Sequence, residues 1–186
     1  FDVSSVNHIV CGSATLKLNT EKEIKEKFNL ERVQQAYGMT ESTLMFTIKR
    51  RDNYKTGTCG TLIPGVNGKV VDIETQKLLG PHQTGELCFQ THGMMKGYLD
   101  NPQATTNTIR DGWLHTGDIG YYDEDGDFFV VDRLKELMKF KGYQVAPAEL
   151  EALLIEHEEV KDAGVVGIPD EMAGELPKGF VVRKRG

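Results

Sequence analysis

Cysteine is scarce: three residues in 186, at positions 11, 59 and 88, with no CxxC among them and no histidine at metal-ligand spacing. That pattern argues against a zinc site and a disulfide framework, and it suits a reducing compartment. Long apolar runs are missing as well. The stretch at 163–168 is among the longest, far short of the ~20 residues a membrane-spanning helix needs. No charged-then-apolar leader opens the chain. It begins FDVSSVNHIV without an initiator methionine, so a longer parent is expected. Positive charge is not in excess: the formal net charge is −6, which removes the electrostatic case for nucleic acid or an anionic membrane as the main partner. What remains is ordinary globular composition, 39% hydrophobic and 27% charged, in a length suited to one domain or one and part of another.

Along the chain, residues 6–11 read as a short buried strand ending at Gly12. A helix follows, with Thr20 and Glu23 as a capping-box pair and Ile24 and Phe28 at i and i+4. A second strand is expected near 32–35. From Lys69 to Gln90 the pattern has period two: KVVDIE and ELCFQ flank TQKLLGPHQTG, as antiparallel strands joined by a loop would. GYYDEDGDFFVV reads as a hairpin turning at Asp125-Gly126. Its acids do not follow the calcium-loop spacing, and the strand resumes directly after the glycine. After Val131 the character changes. Arg133, Lys135, Lys139 and Lys141 fall within nine residues opposed by Glu136 alone. Pro147 opens a helix striped with Leu150, Leu153, Leu154 and His157, and AGVVGI and GFVVRK read as strands. A domain boundary is placed near Asp132.

No G-x-G-x-x-G is present, and GTLIPGVNG lacks the Lys-Ser/Thr that would complete a P-loop. A nucleotide would have to be held another way. Tyr37-Gly38-Met39-Thr40-Glu41 offers a ring that can stack on a purine, a glycine that admits close approach, a hydroxyl for phosphate and a hard oxygen ligand for Mg²⁺. The plainer account is a strand-end turn before a capped helix, and these five residues alone favour it. GWLHTGD puts Asp118 in a glycine-bracketed turn, and Arg133 follows a hairpin later. An Asp accepting two hydrogen bonds suits a ribose diol. Taken singly, Asp118 is a turn former, Arg133 a surface ion-pair member, Trp113 a packing residue and His115 structural.

The ordered set is more specific. GSATL, QAYGMTE, GELCFQTHGMMKGYLDNPQAT, DGWLHTGDIGYYDEDGDFFVVDRLKELMKFKGYQVAPAELE and GIPDEMAGELPKGFVV together resemble the acyl-adenylate-forming superfamily of acyl-CoA synthetases, 4-coumarate–CoA ligases and beetle luciferases. The resemblance implies an α+β fold. Residues 1–132 would be the β-rich C-terminal part of the large AMP-binding domain, and 133–186 the start of a truncated small mobile domain. It implies ATP/AMP, Mg²⁺ and coenzyme A, with a small carboxylic acid as substrate. Tyr37 would flank adenine, Thr40 contact phosphate and Glu41 help hold Mg²⁺. Asp118 and Arg133 would grip the ribose. Gly12, Ser13, Ala14 and Gly38 would line the adenine and acyl pocket. Lys135 would be the hinge, and Lys139, a catalytic candidate, and Gly142 would face the site in the thioester-forming half-reaction. Lys141 is a solvated charge.

Two family parts fall outside the sequence: the Ser/Thr/Gly-rich phosphate loop before Phe1 and the C-terminal adenylation lysine after Gly186. The chain by itself is therefore expected not to adenylate. Ala36 stands where the family often has Gly, Thr15 where it often has Pro, and Leu44 where beetle luciferases tend to have Ser, three residues after the Glu. An apolar Leu44 suits a hydrocarbon acyl group, so a synthetase is expected before a light emitter. A carrier-protein-loading domain is disfavoured by DRLKELMKFKG at the hinge, and a non-catalytic nucleotide-binding module is the alternative from another class. Cytoplasm or peroxisome is the expected location.

Overall fold

The structure, a computed structural model, describes residues 2–16, 18–52 and 54–184. It is mixed α+β and rich in strand. In chain order the elements are β1 (Val10–Cys11), α1 (Leu18–Phe28), β2 (Gln34–Tyr37), β3 (Thr47–Ile48), β4 (Thr61–Leu62), β5 (Val66–Val71), β6 (Leu78–Leu79), β7 (Gly85–Thr91), α2 (Pro102–Thr108), β8 (Ile109–Arg110), β9 (Trp113–Tyr122), β10 (Phe128–Arg133), β11 (Met138–Phe140), β12 (Tyr143–Val145), α3 (Pro147–Ile155), β13 (Val160–Asp170) and β14 (Gly174–Arg183). They form three sheets, ordered β1-β2-β3-β4, β10-β9-β7-β5-β6 with β8 on β9, and β12-β11-β14-β13. Two compact units result. One holds residues 1–116 and 120–130, the other 117–119 and 131–186.

The period-two segments behave as their pattern requires. β5 and β7 pair antiparallel, with Lys69 opposite Cys88 and Val70 opposite Leu87. Val66, Val70, Leu87 and Phe89 point one way and close a core with Phe46, Leu114 and Phe128. β9 and β10 turn at Asp125-Gly126, where Gly126 takes a φ of 78° and donates to the Asp123 carbonyl. α2 is capped by Asn101, whose side chain accepts from the Ala104 N–H, with Pro102 in the first turn.

In the second unit the β13–β14 hairpin pairs along its length, and the Glu151 carboxylate of α3 accepts the Val165 N–H. Ile119, Met138, Ala146, Val165 and Ala173 are its buried apolar residues among those described. Lys141 and Gly142, at φ 49° and 85°, make the two-residue turn between β11 and β12. That pair of positive angles matches strand twist and explains a glycine second in the turn.

Several expectations are corrected. The strand at 6–11 is confined to Val10–Cys11, and Val10 is half exposed, because among the described residues β1 pairs with β2 alone and lies at the sheet edge. The strand expected near 32–35 lies at Gln34–Tyr37. α1 begins at Leu18, so Thr20 lies inside it, and its fully buried residue is Glu21. The cause is distant in sequence: Glu21 meets Lys49 at 3.0 Å, both 1% exposed, and also accepts from the Tyr54 hydroxyl. The stripe on α3 is incomplete, since Leu153 is exposed and His157 lies past the helix end.

Candidate active site

β1 and β2 run parallel, with Val10 opposite Gln34 and Cys11 opposite Gln35. Residues 12–14 therefore leave β1 at the end of the sheet toward which β2 runs on through 36–37. A Cβ on Gly12 would lie 3.4 Å from the Ala36 carbonyl oxygen, and Ser13 takes a φ of 70°. All three of Gly12, Ser13 and Ala14 are exposed.

Beyond Tyr37 the chain reverses. Ala36 pairs with Ile48 and Tyr37 with Thr47, and the Phe46 N–H donates to the Tyr37 carbonyl at 2.7 Å. The reversal is tight enough to require Gly38, where a Cβ would meet the Leu44 oxygen at 2.1 Å and the Met45 Cα at 2.4 Å. Within it, Thr40–Ser42 form one turn of 3₁₀ helix. The Ser42 N–H and hydroxyl both donate to the Met39 carbonyl, at 3.1 and 2.8 Å.

The turn is tied to the segment after β7. Thr43 Oγ1 donates to the Gly93 carbonyl at 2.6 Å, and the Met95 N–H to the Glu41 carbonyl at 2.7 Å. The Tyr98 hydroxyl donates to Glu41 Oε1 at 2.7 Å, and that bond holds the Tyr98 phenol above its ordinary range. Thr40 is exposed and Glu41 half-buried. Tyr37 is half-buried, its ring tilted against Phe46 at 5.7 Å and Phe89 at 5.9 Å. The apolar run after the motif divides: Leu44 is 67% exposed, while Phe46 is in the core, stacked on Phe89 at 4.2 Å.

In the second unit, Asp118 is buried and its Oδ1 meets Arg133 Nε at 3.2 Å, with Arg133 largely exposed. Asp118 was expected in a turn. It lies instead within β9, which continues through Gly117 at φ 68°, so the glycine kinks the strand without ending it. Asp132 accepts the Arg133 N–H at 2.7 Å and the Ala148 N–H at the start of α3 at 3.1 Å. Lys135 is exposed on a 3₁₀ turn, 134–136. Lys139 is exposed on β11, and its N–H donates to Glu175 Oε2 at 2.7 Å. Gly142 is accounted for by its hairpin turn, and Lys141 Nζ lies 5.3 Å from the Phe140 ring centre.

Sequence reasoning missed Tyr98, which orients Glu41 from 57 residues away. It also set histidine apart from cysteine, yet His115 Nδ1 lies 3.4 Å from Cys88 Sγ and 2.8 Å from Glu86 Oε2. The alternation of Glu86 and Cys88 along β7 was the one available signal for that cluster.

The family model described as AMP-binding enzyme matches residues 1–99, and that of the AMP-binding enzyme C-terminal domain matches 149–186. The chain is similar to 4-coumarate–CoA ligase 4 of Arabidopsis thaliana, 52% identical over 192 residues, covering 100% of this chain and 34% of the ligase. It is also similar to luciferin 4-monooxygenase of Luciola mingrelica, 49% identical over 187 residues with the same coverages. The fold is similar to ATP-bound MatB from Rhodopseudomonas palustris, with a TM-score of 0.90 at 34% identity, covering 96% of this chain and 36% of MatB. The chain thus spans about a third of the length of the curated relatives it matches. With more than half of its residues matched by the one family model, the chain belongs to the AMP-binding enzyme family, as its motifs led us to expect.

Proposed function

We propose that this chain is part of an ATP-dependent acid–thiol ligase. A carboxylate attacks the α-phosphate of ATP to give acyl-AMP and pyrophosphate, and a thiol, coenzyme A, then displaces AMP. The observation that carries the reading is the gathering of residues 12–14 with the 36–41 turn at one sheet end, in a fold similar to an ATP-bound enzyme. Residues 1–132 would be the C-terminal part of the AMP-binding domain and 133–186 the start of the smaller one. The match over 149–186 and the division near Val131 support that assignment.

The residues divide the work by chemistry. The Tyr37 ring, already fixed against Phe46, flanks the base. Gly12, Ser13, Ala14 and Gly38 present backbone without bulk to adenine and acyl group. The exposed Thr40 hydroxyl donates to phosphate. Asp118, held by Arg133, accepts from the ribose hydroxyls. Lys135 is the hinge, and Lys139 and Gly142 serve the thioester-forming step.

Glu41 fits a magnesium ligand: Tyr98 occupies Oε1, and among the described residues Oε2 accepts no hydrogen bond. Bound there, Mg²⁺ would offset charge building on the transferring phosphate.

The test uses a longer protein containing this chain, with ATP, Mg²⁺ and mixed fatty and hydroxycinnamic acids, with and without coenzyme A. Acyl-AMP without the thiol and acyl-CoA with it are the expected products. Light with oxygen uptake would assign a luciferase, and neither product from a folded protein would overturn the proposal. The 186-residue chain by itself is expected to give neither.

A further inference from the structure

β7 presents Glu86 and Cys88 on the face of its sheet opposite Leu87 and Phe89, which go to the core. β9 lies next to β7 and sends Leu114 to the core and His115 the other way. Three donor atoms of different chemistry, a carboxylate oxygen, a thiol sulfur and an imidazole nitrogen, thereby come within 4.8 Å of one another. They are enclosed: Cys88 is fully buried, and the Glu86 and His115 side chains are 4% and 8% exposed.

We propose that Glu86, Cys88 and His115 bind a divalent cation of borderline softness, zinc foremost, which pins β7 to β9. The site rests on its own geometry and stands apart from the adenylating reading.

Without a metal the cluster shares two protons, one on His115 and the Cys88 S–H, whose sulfur also lies 3.9 Å from the Glu86 carbonyl oxygen. His115 Nδ1 faces Glu86 Oε2 at 2.8 Å and Cys88 Sγ at 3.4 Å, and a single nitrogen proton serves one of them. A cation between the three is met by all. The donor set selects the metal: thiolate and imidazole favour zinc over the hard ions Mg²⁺ and Ca²⁺, and three protein ligands leave the fourth tetrahedral position to water. Charge sets the valence, since a divalent cation with one carboxylate, one thiolate and a neutral imidazole sums to zero. A neutral complex is the form that enclosure tolerates best.

Loading is balanced by one proton. The Cys88 S–H bond breaks, its proton leaves to solvent and the sulfur lone pair goes to zinc. The His115 proton moves to Nε2, which frees the Nδ1 lone pair. Without metal the thiol stays protonated, pushed up to about 12 by burial and by the Glu86 charge, with Lys69 and Arg110 opposing. Affinity should therefore rise with pH. Lys69, opposite Cys88 on β5, sits 4.2 Å from the Trp113 ring centre, and its charge helps the thiolate form.

Co²⁺ is the spectroscopic probe. Added to the reduced 186-residue chain, one equivalent should produce a thiolate-to-cobalt charge-transfer band that zinc abolishes. The band should be lost in Cys88→Ser, weakened in His115→Ala and retained in Cys11→Ala. Equilibrium dialysis should find about one zinc per chain, with roughly one proton released. No band from a folded chain, or an unchanged band in Cys88→Ser, would overturn the proposal. Should the Cys88 and His115 variants misfold, the stability of the unmutated chain decides. In thermal unfolding, one equivalent of zinc should raise its midpoint where Mg²⁺ does not, and an equal midpoint with and without zinc would sink the site.

Discussion

Replacing Gly38 by alanine tests the candidate site where its geometry is tightest. The added carbon would stand 2.1 Å from the Leu44 oxygen and 2.4 Å from the Met45 Cα. Favourable separations between carbons begin near about 3.5 Å, so the intrusion into Met45 exceeds roughly 1 Å. Both opposing atoms are main chain and cannot rotate aside. The returning segment is held by the Phe46 N–H on the Tyr37 carbonyl and by the Phe46 ring in the core. Overpacking costs about 1–3 kcal/mol, and with no side chain free to yield the upper half of that range applies. Gly65→Ala is the comparison: its φ is +83° with nothing within 4 Å, so strain acts alone, at about 1 kcal/mol. Urea unfolding of both variants in the 186-residue chain should rank Gly38→Ala as the more damaging, with the m-value unchanged. In a longer protein containing the chain, Gly38→Ala should also weaken ATP binding while Gly65→Ala leaves it alone. A Gly38→Ala variant within about 0.5 kcal/mol of the parent would refute the steric argument. Unchanged ATP affinity would refute the placement of Gly38 at the site.

The buried Glu21–Lys49 pair yields a second prediction. Lys49→Met should cost about 3–5 kcal/mol in denaturant unfolding by stranding a carboxylate, and Glu21→Leu/Lys49→Met should recover most of it. Equal stability of the single and double variants would contradict that account. Tyr98→Phe should raise the Mg²⁺ concentration needed for half-maximal adenylation in a longer protein, through loss of the bond that orients Glu41, while leaving the chain folded; an unaltered Mg²⁺ dependence counts against Glu41 as ligand. Asp127 is buried and its acidity weakened, chiefly by desolvation, with Thr58 opposing and the Asp123 charge adding to it. A carboxyl raised in the folded state loses stability as pH rises from the unfolded to the folded pKa, and the penalty is fully present at neutral pH. Asp127→Asn should therefore gain stability at pH 7 relative to its difference at acid pH, measured by thermal unfolding; a relative loss at pH 7 reverses the sign and ends the argument.

What could be read in advance was what local forces decide. β5 and β7 alternate because each residue chooses core or solvent by its own polarity, and the Asp125-Gly126 turn follows from backbone angles available to glycine. What could not be read was set by partners far along the chain. Val10 has the composition of a buried strand residue, but an edge position leaves it half exposed. Glu21 lies inside because Lys49 meets it from 28 residues away, and Cys88 meets His115 across 27. Asp118 was misjudged for a different reason, since glycine beside it signals equally a turn and a kink within a strand.

The same distinction sorts the residues of the candidate site. Tyr37 has a sufficient structural cause in its contacts with Phe46 and Phe89, and Gly38 has one in the Leu44 carbonyl. Folding alone would select both, so their presence says little about a nucleotide. Thr40 and Glu41 differ. Thr40 is exposed, and the Glu41 carboxylate packs into no core; what holds it is a hydroxyl that Tyr98 directs at one of its oxygens. A half-buried acid kept in place by a distant tyrosine serves no packing need that a shorter polar residue could not meet. The weight of the nucleotide reading therefore falls on the two residues the fold does not demand, and substitutions there should cost activity before they cost stability.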